Sequence, residues 1–153
     1  MRLRVQGIAT VEVERLRNGG PDANGQPALV RPATGLDPCR HCLGIVEEGD
    51  EKLVLAYRPF SARHPYSEVG PIFLHRGKCE RYDASELPGW FDFLEPAIVR
   101  GYGEDDWIRY DTGDVVAGRE LRKASESILG DETIRYVHIR SKYNCFQCRV
   151  DRA

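Results

Sequence analysis

The chain lacks the features that announce several common protein classes. No apolar run approaches the ~20 residues that span a bilayer, so no membrane association is expected. The opening MRLRVQGIATVEVERLR builds no hydrophobic signal core before Glu12 and Glu14 restore charge, and a cytoplasmic location is the expectation. Neither sign of charge dominates, since 22 Lys plus Arg stand against 24 Asp plus Glu for a formal net charge of −2. Without a basic run to neutralise successive phosphates, nucleic acid is not an expected partner. A phosphate-cradling glycine loop, a serine-centred nucleophile elbow and an HExxH helix are all missing, which argues against the enzyme classes built on them. Internal repeats, low-complexity segments and linkers are missing as well.

What is present describes a single globular domain over residues 1–153, with 41% hydrophobic and 30% charged residues. A domain of that length buries about 70% of the surface its unfolded chain exposes, so it needs no staple to fold. The five cysteines are an odd number. In a reducing compartment that argues against a disulfide framework and leaves thiol or metal chemistry open.

Leu3, Val5 and Gly7 alternate with Arg2, Arg4 and Gln6, which predicts a strand over 2–8. Thr10 is placed to cap a short helix over 11–17, and NGGPDANGQP is a loop before an extended return over 28–31. The strand over 52–57 is apolar on both faces and should be central in its sheet. Pro59 and Pro65 end its pairing, and Pro71 opens the next strand, through 74 or 75. A turn of helix near 84–87 is stopped by Pro88 and Gly89. Strands over 97–102 and 107–110 flank the acidic turn GEDD. The firm helix covers 118–129, with Leu121, Ala124, Ile128 and Leu129 as its apolar stripe and Gly130 as a left-handed C-cap. Strands over 133–140 and 145–151 complete an α+β fold with a largely antiparallel sheet.

The stretch from Leu53 to Cys79 is the organising element, because two apolar runs flank a polar connection carrying Arg58, Arg63, His64, Tyr66 and Glu68. Guanidinium groups grip carboxylate or phosphate and imidazole titrates near neutral pH. With Arg140 joining from a later strand, these residues predict a small anionic ligand. The ordinary alternative is an Arg58–Glu68 pair bracing the loop over Tyr66.

For a metal, Cys39-x-x-Cys42 with Cys145-x-x-Cys148 offers four thiolates for a structural zinc and a zinc-stapled interaction module. A regular strand would put Cys145 and Cys148 on opposite faces, so that grouping needs a bend or bulge. His75 and Cys79 form a second metal or nucleophile pair, with His41 also placed to activate a thiol. An enzyme would use His64 or His75 for proton transfer, Arg58 and Arg140 for anion binding, and Cys79 as nucleophile. Trp90, Phe91 and Phe93 are either core or the anchors of a protein partner.

In order, PCRHCL, YRPF, HPY, GPIFLH, VHIR and NCFQCRVDR resemble the bacterial domain-of-unknown-function family 1203 from about Pro38 onward. The resemblance implies a small bacterial single-domain protein. It implies no reaction, cofactor or ligand set.

Overall fold

A computed structural model describes residues 1–153. The chain divides into two compact units, one of Met1–Gln6, Arg63–Tyr66 and Asp83–Ala153, the other of Gly7–Ala62 and Ser67–Tyr82. Every strand ladder is antiparallel, and two α-helices accompany the sheets, so the α+β expectation holds. No helix is long and apolar enough to cross a membrane.

In the first unit a six-stranded sheet is built from β1 (Leu3–Gln6), β7 (Asp83–Ala84), β8 (Ala97–Tyr102), β9 (Ile108–Val116), β10 (Tyr136–Ser141) and β11 (Phe146–Arg152). Its order is β7-β1-β11-β10-β8-β9. The helix α2 (Leu121–Leu129) follows a 3-10 turn at Gly118–Glu120, and it buries Leu121, Ser125 and Leu129. Gly130 has φ −62°, so this C-cap is right-handed rather than the left-handed one its residue type suggested. Residues 84–87 form no helix, because Asp83 and Ala84 pair with Gln6 and Val5. Asp83 also accepts from Arg4 and Gln6. The hairpin strand β9 extends far past the expected 107–110. Thr112 Oγ1 accepts the Gly101 N–H at 2.7 Å and so bridges a bulge that lets pairing resume at Asp114. Around the buried His138 pack Tyr102, Tyr136 and Phe146, with ring centroids 4.7–5.0 Å from the imidazole. Burial holds the His138 pKa well below its usual value, which keeps the ring neutral.

The second unit holds α1 (Thr10–Arg17), a three-stranded sheet in the order β2 (Leu29–Pro32), β5 (Glu51–Tyr57), β6 (Gly70–His75), and a small ladder of β3 (Asp37–Pro38) with β4 (Ile45–Val46). The strand with two apolar faces, β5, is the central one, as its pattern requires. In α1, Val13 and Leu16 fall on one face and are buried. Glu12 sits in its first turn and Arg15 and Arg17 in its last, which complements the helix dipole. Thr10 is not the cap: Ala9 occupies that position, and the Thr10 hydroxyl bonds elsewhere. The core joins Ile8, Val13 and Leu16 to Val46, Leu53, Leu55, Ile72 and Leu74, with Cys39 buried among them and Cys42 and Cys79 packed at its border.

Candidate metal centre

Two short chain segments carry the site. The first is a knuckle between β3 and β4, closed by the Cys39 N–H donating to the Gly44 carbonyl at 2.8 Å, with Leu43 in the left-handed region at φ 53°. An isolated parallel bridge pins Cys39 to Phe73 on β6. The second segment begins at His75, the last residue of β6, and runs through a bend at Arg76–Gly77 to Cys79.

A buried ion pair steadies the approach to the first knuckle. Lys52 Nζ lies 2.5 Å from Asp37 Oδ1 and 4.3 Å from the Phe73 ring centroid, while Thr34 donates its N–H and hydroxyl to Asp37 Oδ2. Burial alone would raise the Asp37 pKa. The hydrogen bonds from Lys52 and Thr34 outweigh it, and the carboxyl is held below its ordinary value.

The segments bring Cys39, Cys42, His75 and Cys79 together, with one ligand atom from each lying within 4.8 Å of all the others. A tetrahedral zinc with Zn–S of ~2.3 Å and Zn–N of ~2.0–2.1 Å has S···S edges of about 3.8 Å and N···S edges of about 3.5 Å. Cys39 Sγ and Cys79 Sγ are 3.9 Å apart, and Cys42 Sγ lies 3.5 Å from His75 Nδ1. All five cysteines of the chain are free, and 3.9 Å is far beyond an S–S bond of ~2.04 Å. The Gly44 N–H donates to Cys42 Sγ at 3.4 Å and the His75 N–H to Cys39 Sγ at 3.3 Å, contacts that favour thiolates.

The three thiols are coupled electrostatically. Hydrogen bonds from the Cys42 and Cys79 thiols and from backbone N–H groups lower the pKa of Cys39 against its burial. Cys39 in turn raises both Cys42 and Cys79, first through the hydrogen bond each makes to it. Three thiols this close oppose one another's ionisation, and a divalent ion bound among them would favour the thiolate forms.

Cys79 has further partners. Its Sγ lies 3.0 Å from His41 Nδ1 and 3.2 Å from Arg17 Nη2, and His41 Nε2 is 2.9 Å from Thr10 Oγ1. Burial first, then the charges of Arg17 and Arg81, lower the His41 pKa against the opposing pull of Cys39. The thiol, ring and hydroxyl also follow the order of a cysteine nucleophile with its base. At 1% exposure, however, His41 offers a substrate little access, and the Cys79 sulfur lies within 4.8 Å of a ligand atom from each of Cys39, Cys42 and His75.

The grouping expected from sequence, Cys39 and Cys42 with Cys145 and Cys148, differs from the one the fold assembles. Cys145 and Cys148 belong to the six-stranded unit, where Cys148 is buried opposite Ile139 on β11 and Cys145 precedes the strand. The bulge their grouping required exists between Ile139 and Arg140, but it brings in no further ligand. Their place is taken by His75 and Cys79, which the sequence offered as a separate pair.

The loop residues divide between the units, with Arg58 and Glu68 in the three-stranded one and Arg63, His64, Tyr66 and Arg140 in the six-stranded one. His64 Nδ1 accepts the Tyr66 N–H at 3.1 Å, and Tyr66 packs on Trp107 at 5.0 Å and on Tyr110 at 6.0 Å. Arg140 is buried and donates to the Asn144 carbonyl at 3.2 Å. Arg58 makes no ion pair, so the Arg58–Glu68 brace does not form. Of the aromatic trio, Phe91 is 1% exposed and belongs to the core of its unit, while Phe93 is 84% exposed.

The family described as "Protein of unknown function (DUF1203)" matches residues 36–152, and the chain belongs to that family. All four clustered ligands lie inside the matched segment. No curated protein and no solved structure matches the chain.

Proposed function

We propose that this member of the family is a zinc protein in which Cys39, Cys42, His75 and Cys79 hold one ion as a structural staple of the three-stranded unit. The observation that carries the reading is the gathering of one ligand atom from each residue within 4.8 Å of the others, with the Cys39–Cys79 and Cys42–His75 separations of 3.9 and 3.5 Å matching two edges of a zinc tetrahedron. Four protein ligands leave no coordination position for water or substrate, which is the arrangement of a structural rather than a catalytic zinc. The ion fixes the β3–β4 knuckle to the end of β6 and so sets the frame from which the loop after β5 emerges. Elemental analysis together with chelator competition tests it: one zinc per chain is expected, and removal of the metal should loosen the three-stranded unit. Protein that binds no zinc at micromolar concentrations would refute it.

A second reading is small-anion binding by Arg58, which follows β5 in the three-stranded unit. A guanidinium group suits a carboxylate or phosphate. A thermal-shift screen of small anions on the wild type and Arg58→Ala tests this. Equal stabilisation of both proteins by every anion would make Arg58 a bystander.

A further inference from the structure

Resting on the zinc reading, we infer that Arg17 and His41 are positioning residues of the metal centre, which neutralise and orient the Cys79 thiolate and set the affinity for the ion. The argument begins with charge. Zinc with three thiolates and a neutral imidazole carries a net charge of −1, which is costly at the border of an apolar core unless a cation compensates it. Arg17 is that cation. Its side chain is only 8% exposed, its Nη2 reaches Cys79 Sγ at 3.2 Å, and its Nε donates to the carbonyl of the ligand His75 at 3.1 Å. One planar guanidinium thus touches the second segment at both of its ligand residues. The half-exposed Glu14 accepts from Nη1 at 3.0 Å and holds the plane in place from the solvent side.

His41 supplies the second donor, and its proton position follows from its neighbours. A neutral imidazole carries one N–H. A metal-bound thiolate has no proton to give, so Nδ1 holds the proton and donates to Cys79, while Nε2 accepts from the Thr10 hydroxyl. This explains why Thr10 leaves the capping role to Ala9. The two ends of α1 therefore both serve the site, Thr10 through His41 and Arg17 directly. Outer-sphere partners of this kind fix ligand orientation and commonly change metal affinity by ~10–100-fold when removed.

The test uses the full chain, with zinc affinity measured by chelator competition and the thiolate-to-metal charge-transfer bands recorded after cobalt substitution. Wild type, Arg17→Met and Arg17→Lys are compared. Arg17→Met should weaken zinc binding by roughly 10–100-fold. It should also move the charge-transfer bands to lower energy, because a thiolate relieved of its cation gives up electron density more easily. Arg17→Lys should recover part of both. A variant that binds one equivalent of cobalt with bands at the wild-type position would overturn the inference, whatever its stability, since a merely structural arginine leaves those bands unmoved. Wild-type protein that binds no metal would instead overturn the zinc reading on which it rests.

Discussion

Adding a single methyl group at Gly7 should damage the metal centre, although Gly7 is not a ligand. A Cβ at this position would stand 1.9 Å from the His41 carbonyl oxygen, 2.7 Å from its carbon and 3.1 Å from the Arg40 oxygen. Ordinary contact begins at 3.4 Å, so the His41 carbonyl must retreat by about 1.5 Å, the difference between 3.4 and 1.9. All three atoms are backbone, and no side-chain rotation relieves the overlap. The carbonyls that must move accept the Tyr82 N–H at 2.9 Å and the Ile8 N–H at 2.8 Å, so the retreat strains hydrogen bonds as well as packing. Forced backbone shifts cost ~1–3 kcal/mol, and a weakened hydrogen bond adds ~1 kcal/mol, for a total of about 3 kcal/mol. Because His41 lies between Cys39 and Cys42, part of that cost should appear as weaker metal binding. Gly77 is the control, lying between His75 and Cys79 yet with nothing within 4 Å of its added Cβ and no positive φ. Gly77→Ala should be neutral or stabilising by ~0.4–1 kcal/mol. Urea unfolding of the zinc-loaded proteins and chelator competition read both effects. Gly7→Ala with the wild-type midpoint and affinity, or Gly77→Ala with an equal loss, would refute the reasoning.

Three further outcomes follow from the same geometry. Breaking the buried pair with Lys52→Met should cost about 3 kcal/mol, measured by urea unfolding, and a loss below 0.5 kcal/mol would mean the pair contributes little. The same pair sets a pH dependence. The Asp37 pKa is depressed in the folded state, so its contribution is complete above the unfolded carboxyl pKa of ~3.9 and is lost as pH falls through the lower folded value. Acid unfolding curves of wild type and Lys52→Met should therefore converge at the acid end, and a constant gap would contradict this. Finally, chelation should lower the thermal midpoint of the wild type, while a variant lacking His75 and Cys79 should show no response to the chelator.

Much of the fold was legible because local rules and tertiary context agree. The two apolar faces of the strand expected over 52–57 announced the central place that β5 takes in its sheet. Legibility failed where a side chain does a task that sequence cannot display. Thr10 reads as a helix cap until His41 is seen beside it, and Gly130 reads as a left-handed terminus although it stays right-handed. Asp111, Gly113 and Asp114 look like loop residues, but the Thr112 hydroxyl carries the strand across its bulge. Both halves of the candidate site, Cys39 with Cys42 and His75 with Cys79, were visible as separate pairs. Their union was not, because the matching C-x-x-C near the end of the chain offered a more symmetrical partner. What decides the pairing is the Cys39–Phe73 bridge, a long-range contact that sets the first knuckle beside the end of β6. No spacing rule encodes it.

The central claim is that one zinc ion sits among Cys39, Cys42, His75 and Cys79. The most direct test is metal content per chain in wild type, Cys79→Ser and Cys145→Ser, each purified from zinc-containing medium. The account predicts one zinc in wild type and in Cys145→Ser, with a clear loss in Cys79→Ser. Zinc that survives in Cys79→Ser but disappears in Cys145→Ser, or that is missing from all three, would contradict it.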